Sequence, residues 1–393
     1  MAHAFRDRAA ISGIGATEFS KSSGRSDLSL ATEATLAALA DAGLDASDVD
    51  GIIRCDADLV THNALAESIG AQSLSWWSTV GPGGVAPPAM VAQAAAAIIS
   101  GQATTVVVFR SLNGRSGRRY GQGHTSRPAA VGGAGTYDEF FHPYGLLTAG
   151  QMFALIAQRH AVEFGTGPED LAAISLACRE RANNNPRAQM YDRPLTEEEC
   201  LSARMIASPL RLFDFCLETD GACAVVVTST ERAKDGPRPP ALIHAAASAT
   251  GPDVQPGMMF PILTRPSFTT LPSKQCADLL YNRAGLGPAD VDVAQFYDCF
   301  TITVLIQLED YGFCEKGEGG AFARSGALGL SGSLPINTGG GHLSEGYIHG
   351  MNHVLEGVRQ IRGDSTGQVT AAEVSLVTAA PPPGTSAMIL VPA

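Results

Sequence analysis

One stretch of this sequence occurs twice. Ala42-Gly43-Leu44-Asp45-Ala46-Ser47-Asp48-Val49-Asp50 is matched by Ala284-Gly285-Leu286-Gly287-Pro288-Ala289-Asp290-Val291-Asp292. Each copy stands between a helical pattern and a strand-like run, and Ile361-Arg362-Gly363 likewise echoes Ile99-Ser100-Gly101. Repetition on this scale constrains the fold more than any single motif, because two copies of one unit imply two similar halves about a pseudo-twofold axis. The join is expected in residues 233–240, where charge and proline replace an apolar run. The halves are then residues 1–235 and 236–393.

Within the first half, residues 10–13 read as a strand, 29–42 as a helix stopped by Gly43, and Ile52 and Ile53 as a second strand, which is α/β patterning. A helix over about 88–100 stops at Gly101. It leads into Thr104-Thr105-Val106-Val107-Val108-Phe109, a β-branched run suited to a strand buried on both faces and central in a sheet. Residues 111–209 form a long insertion, glycine- and arginine-rich at first and helical afterwards, that reads as a cover over a site. Arg110, Arg115, Arg118 and Arg119 at its start are candidates for binding the phosphates of an acidic cofactor, or else a solvated or subunit-contacting face.

At 393 residues and 45% apolar, the chain can bury more than one core. A net charge of −12 argues against nucleic acid as the main partner. The most apolar helix, residues 90–99, is too short to span a bilayer, and no basic-plus-apolar leader precedes Gly13, so a cytoplasmic protein is expected. Eight cysteines lie without any C-x-x-C pair, which indicates neither a structural zinc site nor a disulfide framework, and no metal is expected.

Chemistry concentrates in residues 337–350. Asn337-Thr338-Gly339-Gly340-Gly341-His342 and Gly346-Tyr347-Ile348-His349-Gly350 form a glycine-rich polar loop that runs into a helix with Met351, Val354, Leu355, Val358 and Ile361 on one face. Glycines let backbone approach a ligand, and the helix start offers N–H groups to an oxyanion.

These pieces together resemble the thiolase superfamily, specifically its sterol-carrier or lipid-transfer type. Ser208-Pro209-Leu210-Arg211-Leu212-Phe213-Asp214 with Asp220-Gly221-Ala222, Tyr297-Asp298-Cys299-Phe300 and the 337–350 loop carry the resemblance. It implies a duplicated α/β/α/β/α layered fold and a homodimer paired along an edge strand, here expected to contain Val106 to Phe109.

The departures from the family decide the chemistry. The nucleophilic cysteine would fall at about Gly84 or Val85 and the second family cysteine near Ala379, and neither position carries a thiol. The Gly-His-Pro motif reads Gly346-Tyr347-Ile348, and Tyr297 stands where the family has asparagine or histidine. Without a thiolate there is no acyl-enzyme. What remains resembles the thiolase-like steroid side-chain aldolases, which cleave a β-hydroxyacyl-CoA by retro-aldol reaction to a ketone and a shorter acyl-CoA.

On this resemblance Tyr297, Tyr347 and His349 are the expected catalytic residues. His342, Gly346, Gly84 and Asp298 are expected at the substrate, with a helix cap as the alternative for Asp298. Gly81 to Gly84 or the helix start at Gly350 would supply oxyanion donors. Coenzyme A enters as part of the substrate, with no other cofactor, and a small partner carrying a zinc ribbon and an oligonucleotide-binding-type barrel is implied. Competing expectations are a thiolase using an unrecognised cysteine, Cys299 being the thiol near the site, and a non-catalytic acyl-CoA-binding subunit.

Overall fold

The computed structural model describes residues 5–117, 119, 140–254, 257 and 260–393. Its strands are β1 (Ala9–Ala16), β2 (Gly51–Cys55), β3 (Trp76–Val80), β4 (Thr105–Asn113), β5 (Met205–Ala207), β6 (Leu210–Arg211), β7 (Asp220–Ser229), β8 (Ala241–Ala249), β9 (Val293–Gln295), β10 (Ser375–Thr378) and β11 (Thr385–Val391). The first-half helices are α1 (Asp27–Ala42), α2 (His62–Ile69), α3 (Ala86–Ile99), α4 (Ala149–Phe164), α5 (Pro168–Asn183), α6 (Glu197–Ser202) and α7 (Thr230–Lys234). Then follow α8 (Pro272–Ala284), α9 (Thr301–Asp310), α10 (Gly319–Arg324), α11 (Gly341–Ser344) and α12 (Met351–Arg362).

The repeat is real structure. α1 and α8 both end on a left-handed glycine, Gly43 at φ 67° and Gly285 at φ 68°, where an L side chain would be strained. Both pass through a short 3₁₀ turn, Ala46–Asp48 or Pro288–Asp290, into β2 or β9. Sheet order continues the symmetry. The strands run β3-β2-β4-β7-β1-β8-β11-β10-β9, with β2 parallel to β4 as β9 is to β10, and antiparallel pairs β4–β7 and β10–β11, β7–β1 and β11–β8. The two half-sheets meet where Ala10 and Ile11 pair with Leu242 and Ala241.

Side chains alternate across each half-sheet, which builds the layers. Val107 and Phe109 of β4, with Ala222, Ala224 and Val226 of β7, pack under α1 and α2. Val106, Val108, Val225 and Val227 face the opposite way, onto α3 and α12, and Val377, Met388 and Leu390 of the other half-sheet face the same two helices. The outer face of the second half-sheet, with Leu376, Ala387 and Ile389, packs on α8 and α9. The result is α/β/α/β/α, with α3 and α12 as its central layer.

β4 is third in the sheet and paired on both sides, so the expected dimer edge at Val106 to Phe109 is wrong and the central reading is right. The free edge in the first half is β3, whose Trp77 is 57% exposed. Consecutive valines signal burial on both faces, which is the signature of an interior strand, while β3 with its alternating exposure is the edge.

Candidate active site

Tyr297 follows β9 and leaves the sheet with its backbone clamped. Its N–H donates to Thr378 Oγ1 at 3.0 Å, its carbonyl accepts from Gln307 Nε2 at 2.9 Å, and Thr378 in turn donates to Gln307 Oε1 at 2.6 Å. Asn337 continues this scaffold, bonding both the N–H and the carbonyl of Phe296 at 2.8 and 3.0 Å. The glycine-rich loop is thereby fastened to the strand end that carries Tyr297. Its other side is fastened by the segment leading into β7 and by the insertion: Tyr347 N–H donates to Thr219 Oγ1 at 2.8 Å and Leu217 N–H to His342 O at 2.9 Å, and from the insertion Gln189 N–H donates to Glu345 O at 2.9 Å.

The consequence is a pair of phenols. Tyr297 Oη and Tyr347 Oη are 2.7 Å apart, their rings edge-on at 6.3 Å, and His342 lies against both at 4.6 and 4.8 Å. Behind them stands Asp298, fully buried, which accepts from His342 N–H at 2.9 Å, Leu343 N–H at 3.2 Å and His353 Nε2–H at 2.9 Å. Burial alone would raise the Asp298 carboxyl, but the His353 imidazole and the backbone N–H donors hold it down to about 2. His342 is pushed well below the ordinary imidazole range by burial and by His353, so it stays neutral. Burial, and then the Tyr347 phenol beside it, raises Tyr297 well above the usual tyrosine range. A standing phenolate is therefore disfavoured, and the pair can pass a proton along without either oxygen holding charge.

Asp298 is not the cap of α9, whose N-cap is Phe300. It holds the start of α11 instead, and a Cβ on Gly341 would lie 2.2 Å from its Oδ2, which is why glycine stands there. Asp298, His342 and His353 bring three potential metal ligands within 4.8 Å of one another; the carboxylate hydrogen-bonds the His353 imidazole at 2.9 Å, while the His342 ring, 3.2 Å away, makes no hydrogen bond with it.

Gly84 is, with Val85, one of the two positions at which the resemblance to thiolases would put a nucleophile. A Cβ built there would fall 2.1 Å from Tyr297 Oη, so the missing side chain and the added phenol occupy one volume. Gly84 O also accepts from Ala380 N–H at 3.0 Å, so the turn between β10 and β11 with the cysteine-free Ala379 abuts the same place. His349 lies over Gly83, whose Cβ would be 3.5 Å from its Cε1, and its ring is 5.1 Å from that of Tyr347. Tyr297, Tyr347, His349, His342, Asp298 and Gly84 are thus brought together, while Gly346 is a packing glycine, its Cβ direction closed by Phe19 at 2.7 Å.

The arginines divide. Arg115 and Arg119 pair with Glu218, at 3.5 and 2.5 Å, one residue from the Thr219 that anchors Tyr347. Arg118 lies outside the described residues. Arg110 cannot reach a phosphate: it is 1% exposed and ion-paired with buried Asp58. Helical and apolar periodicity gave no signal for Asp58 or for the part His353 plays.

The thiols near the site are inert. Burial raises Cys55 to about 12 and puts Cys178 and Cys299 well above the ordinary thiol range. Cys299 meets Thr303 Oγ1 only at 4.0 Å, as packing.

Residues 260–392 match the family described as thiolase C-terminal domain-like. The chain is 46% identical to a 17-hydroxy-3-oxo-4-pregnene-20-carboxyl-CoA lyase of Mycobacterium tuberculosis over 98% of this chain and 99% of that protein. It is 45% identical to a steroid side-chain-cleaving aldolase of Thermomonospora curvata over 97% of each. The solved structure of an Ltp2-ChsH2(DUF35) aldolase superposes with a TM-score of 0.92 at 43% identity, covering 99% of both chains. The chain belongs to the thiolase superfamily, in its branch of steroid side-chain-cleaving aldolases. It is an enzyme, a carbon–carbon lyase of the aldolase kind.

Proposed function

We propose that this aldolase cleaves a steroid acyl-CoA carrying a hydroxyl β to the thioester, of the 17-hydroxy-20-carboxyl-CoA type that its Mycobacterium tuberculosis relative is named for. The observation that carries the reading is the 2.7 Å contact of Tyr297 and Tyr347 hydroxyls in the space a nucleophile at Gly84 would have filled. Retro-aldol cleavage moves one proton. The β-hydroxyl gives up its hydrogen as its carbon becomes a ketone, the bond electrons pass to the α-carbon and thioester oxygen, and the α-carbon is then protonated. Two hydrogen-bonded phenols serve this without net charge, one accepting from the hydroxyl as the other donates toward the α-carbon. His349 and His342 border the pair, and behind it Asp298 holds the His353 imidazole and the backbone N–H of His342.

Arg115 and Arg119, with Arg118, are proposed to meet the coenzyme A phosphates at the mouth, exchanging Glu218 for the ligand. The two halves, 1–235 and 236–393, act as one scaffold, since Tyr297 and the 337–350 loop come from the second and Gly84 from the first. A homodimer paired through β3 closes an edge that would otherwise be open. The solved Ltp2-ChsH2(DUF35) aldolase supports a heteromeric partner here, and a zinc-ribbon and barrel partner is what the family resemblance implies. Among the described residues no helix is long and apolar enough to cross a membrane; a cytoplasmic location is part of this proposal.

The test is incubation of the purified chain, with and without such a partner, with the 17-hydroxy-20-carboxyl-CoA steroid and no free coenzyme A. Equal amounts of 17-ketosteroid and propionyl-CoA support the reading. Their absence, or a requirement for free coenzyme A, sinks it.

A further inference from the structure

Arg110 is the largest fully buried side chain among the described residues, at the end of a run of valines in the middle of a sheet. A charge in that place is costly unless fully partnered. Its partner is Asp58, from the turn after β2, whose carboxylate also accepts from Cys55 N–H at 2.8 Å and Ser111 N–H at 2.9 Å. The pair has one further contact of consequence: Arg110 Nε–H donates to His349 Nδ1 at 3.1 Å. His349 itself is held at φ 51°, a left-handed backbone that a non-glycine residue rarely adopts and that clusters at functional sites.

Guanidinium is always protonated and can only donate, so the ring nitrogen it touches must be the acceptor and the imidazole hydrogen must sit on the other. Resting on the aldolase reading above, we propose that Asp58 and Arg110 are positioning residues that hold His349 as the neutral Nε2–H tautomer, which donates that hydrogen to the thioester oxygen as the carbon–carbon bond breaks. Placement supports the assignment. His349 lies over Gly83, beside the Gly84 that touches Tyr297, and its ring neighbours Tyr347. Three elements from both halves of the chain converge on this one ring. A neutral donor already aimed at the forming oxyanion needs no rearrangement when charge develops there.

The groups facing His349 act in one direction. Burial, the Arg110 charge and the His342 imidazole all disfavour imidazolium, and hold it well below the ordinary range. Asp58 lies beyond Arg110. Across the ring, Asp56 accepts from Gly83 N–H at 3.0 Å and Cys55 donates to Gly83 O at 3.6 Å, so both are turned to backbone.

Two measurements test this on the full-length enzyme, as the complex if a partner copurifies. In the first, ¹⁵N-histidine-labelled protein is followed by long-range ¹H–¹⁵N correlation, with His349 assigned by loss of its signals in His349→Gln. The expected result is an unprotonated Nδ1 and protonated Nε2 from about pH 6 upward. A protonated Nδ1 overturns the proposal, and the measurement needs neither the Asp58 nor the Arg110 substitution to fold. In the second, Asp58→Asn combined with Arg110→Met removes both charges together. A folded double variant should lose about 10²-fold in kcat with KM nearly unchanged, and the acid limb of its kcat should move to higher pH than in wild type, because the Arg110 charge that disfavours imidazolium is gone while burial remains. Wild-type kcat and pH profile in the folded double variant also overturn it. If the wild-type enzyme releases no ketone, the aldolase reading has failed. Ketone release with the wrong tautomer fails this inference alone.

Discussion

Replacing Gly84 with alanine puts a methyl group where a hydrogen stood, yet the site has no room for it. The new Cβ would stand 2.1 Å from Tyr297 Oη and 2.6 Å from its Cζ. Ordinary contact between such atoms is about 3.5 Å, so the phenol must retreat by more than about 1 Å. The Tyr297 backbone cannot follow freely, because Thr378 and Gln307 clamp it on both sides, and the displacement falls on the 2.7 Å bond to Tyr347. Overpacking a core site costs about 1–3 kcal/mol, which a fold of this size tolerates. A misplacement of about 1 Å at a catalytic group costs about 10²-fold in rate. The assay is steady-state ketone release with a thermal melt on the same preparation. The double variant Gly84→Ala with Tyr297→Phe is the control. It lacks the oxygen that clashes most, so it should be at least as stable as Gly84→Ala and no slower than Tyr297→Phe. If Gly84→Ala turns over at the wild-type rate, or the two rate losses simply multiply, then the glycine and the phenol do not share one volume and the reasoning is wrong.

Cys299→Ala should change kcat less than about threefold, because its thiol packs and makes no bond; a loss of several orders of magnitude in folded protein would revive covalent chemistry. Glu345, wholly buried behind the tyrosine loop, is raised to about 7, by burial first, with Arg359 only partly offsetting it. A carboxyl whose folded value exceeds its unfolded one stabilises the fold at acid pH and loses that contribution as pH rises from about 4.5 to about 7, an effect of up to about 3 kcal/mol. Melting temperature measured across that window should fall less steeply in Glu345→Gln than in wild type, and equal slopes would refute the assignment. Trp77→Arg on β3 should lower the solution mass measured by light scattering from dimer to monomer; an unchanged dimer would place the interface elsewhere.

Much of this architecture was legible in the sequence for physical reasons. The repeated Ala-Gly-Leu segment announced itself because a left-handed glycine cap followed by a tight turn admits few residues, and both copies need it. Tyr297 and Tyr347 were found because they replace residues at recognisable positions of a resembled family, and the structure sets their hydroxyls side by side. The edge strand was misplaced: apolar content identifies burial, but which strand lies last in a sheet depends on order, which no local pattern encodes. Arg110 was grouped with its neighbours Arg115 and Arg119 because adjacency in sequence suggested one basic patch. Strand pleat and the partner Asp58, fifty-odd residues away, instead turn it inward. His353 was invisible for a similar reason, since it lies on the buried face of α12 among apolar residues and meets Asp298 only in three dimensions.

The central claim is that two phenols, and no thiol, carry the proton of the cleavage. Quenched turnover of Tyr297→Phe, Tyr347→Phe and the double variant, in one preparation with acyl-CoA binding checked separately, tests it most directly. Each substitution removes one oxygen and keeps the ring, so folding should hold while kcat falls about 10²–10⁴-fold. Because both oxygens serve one proton path, the double variant should be little slower than the poorer single. Near-normal turnover in both single variants, with substrate still bound, would contradict the account and move the chemistry to the histidines.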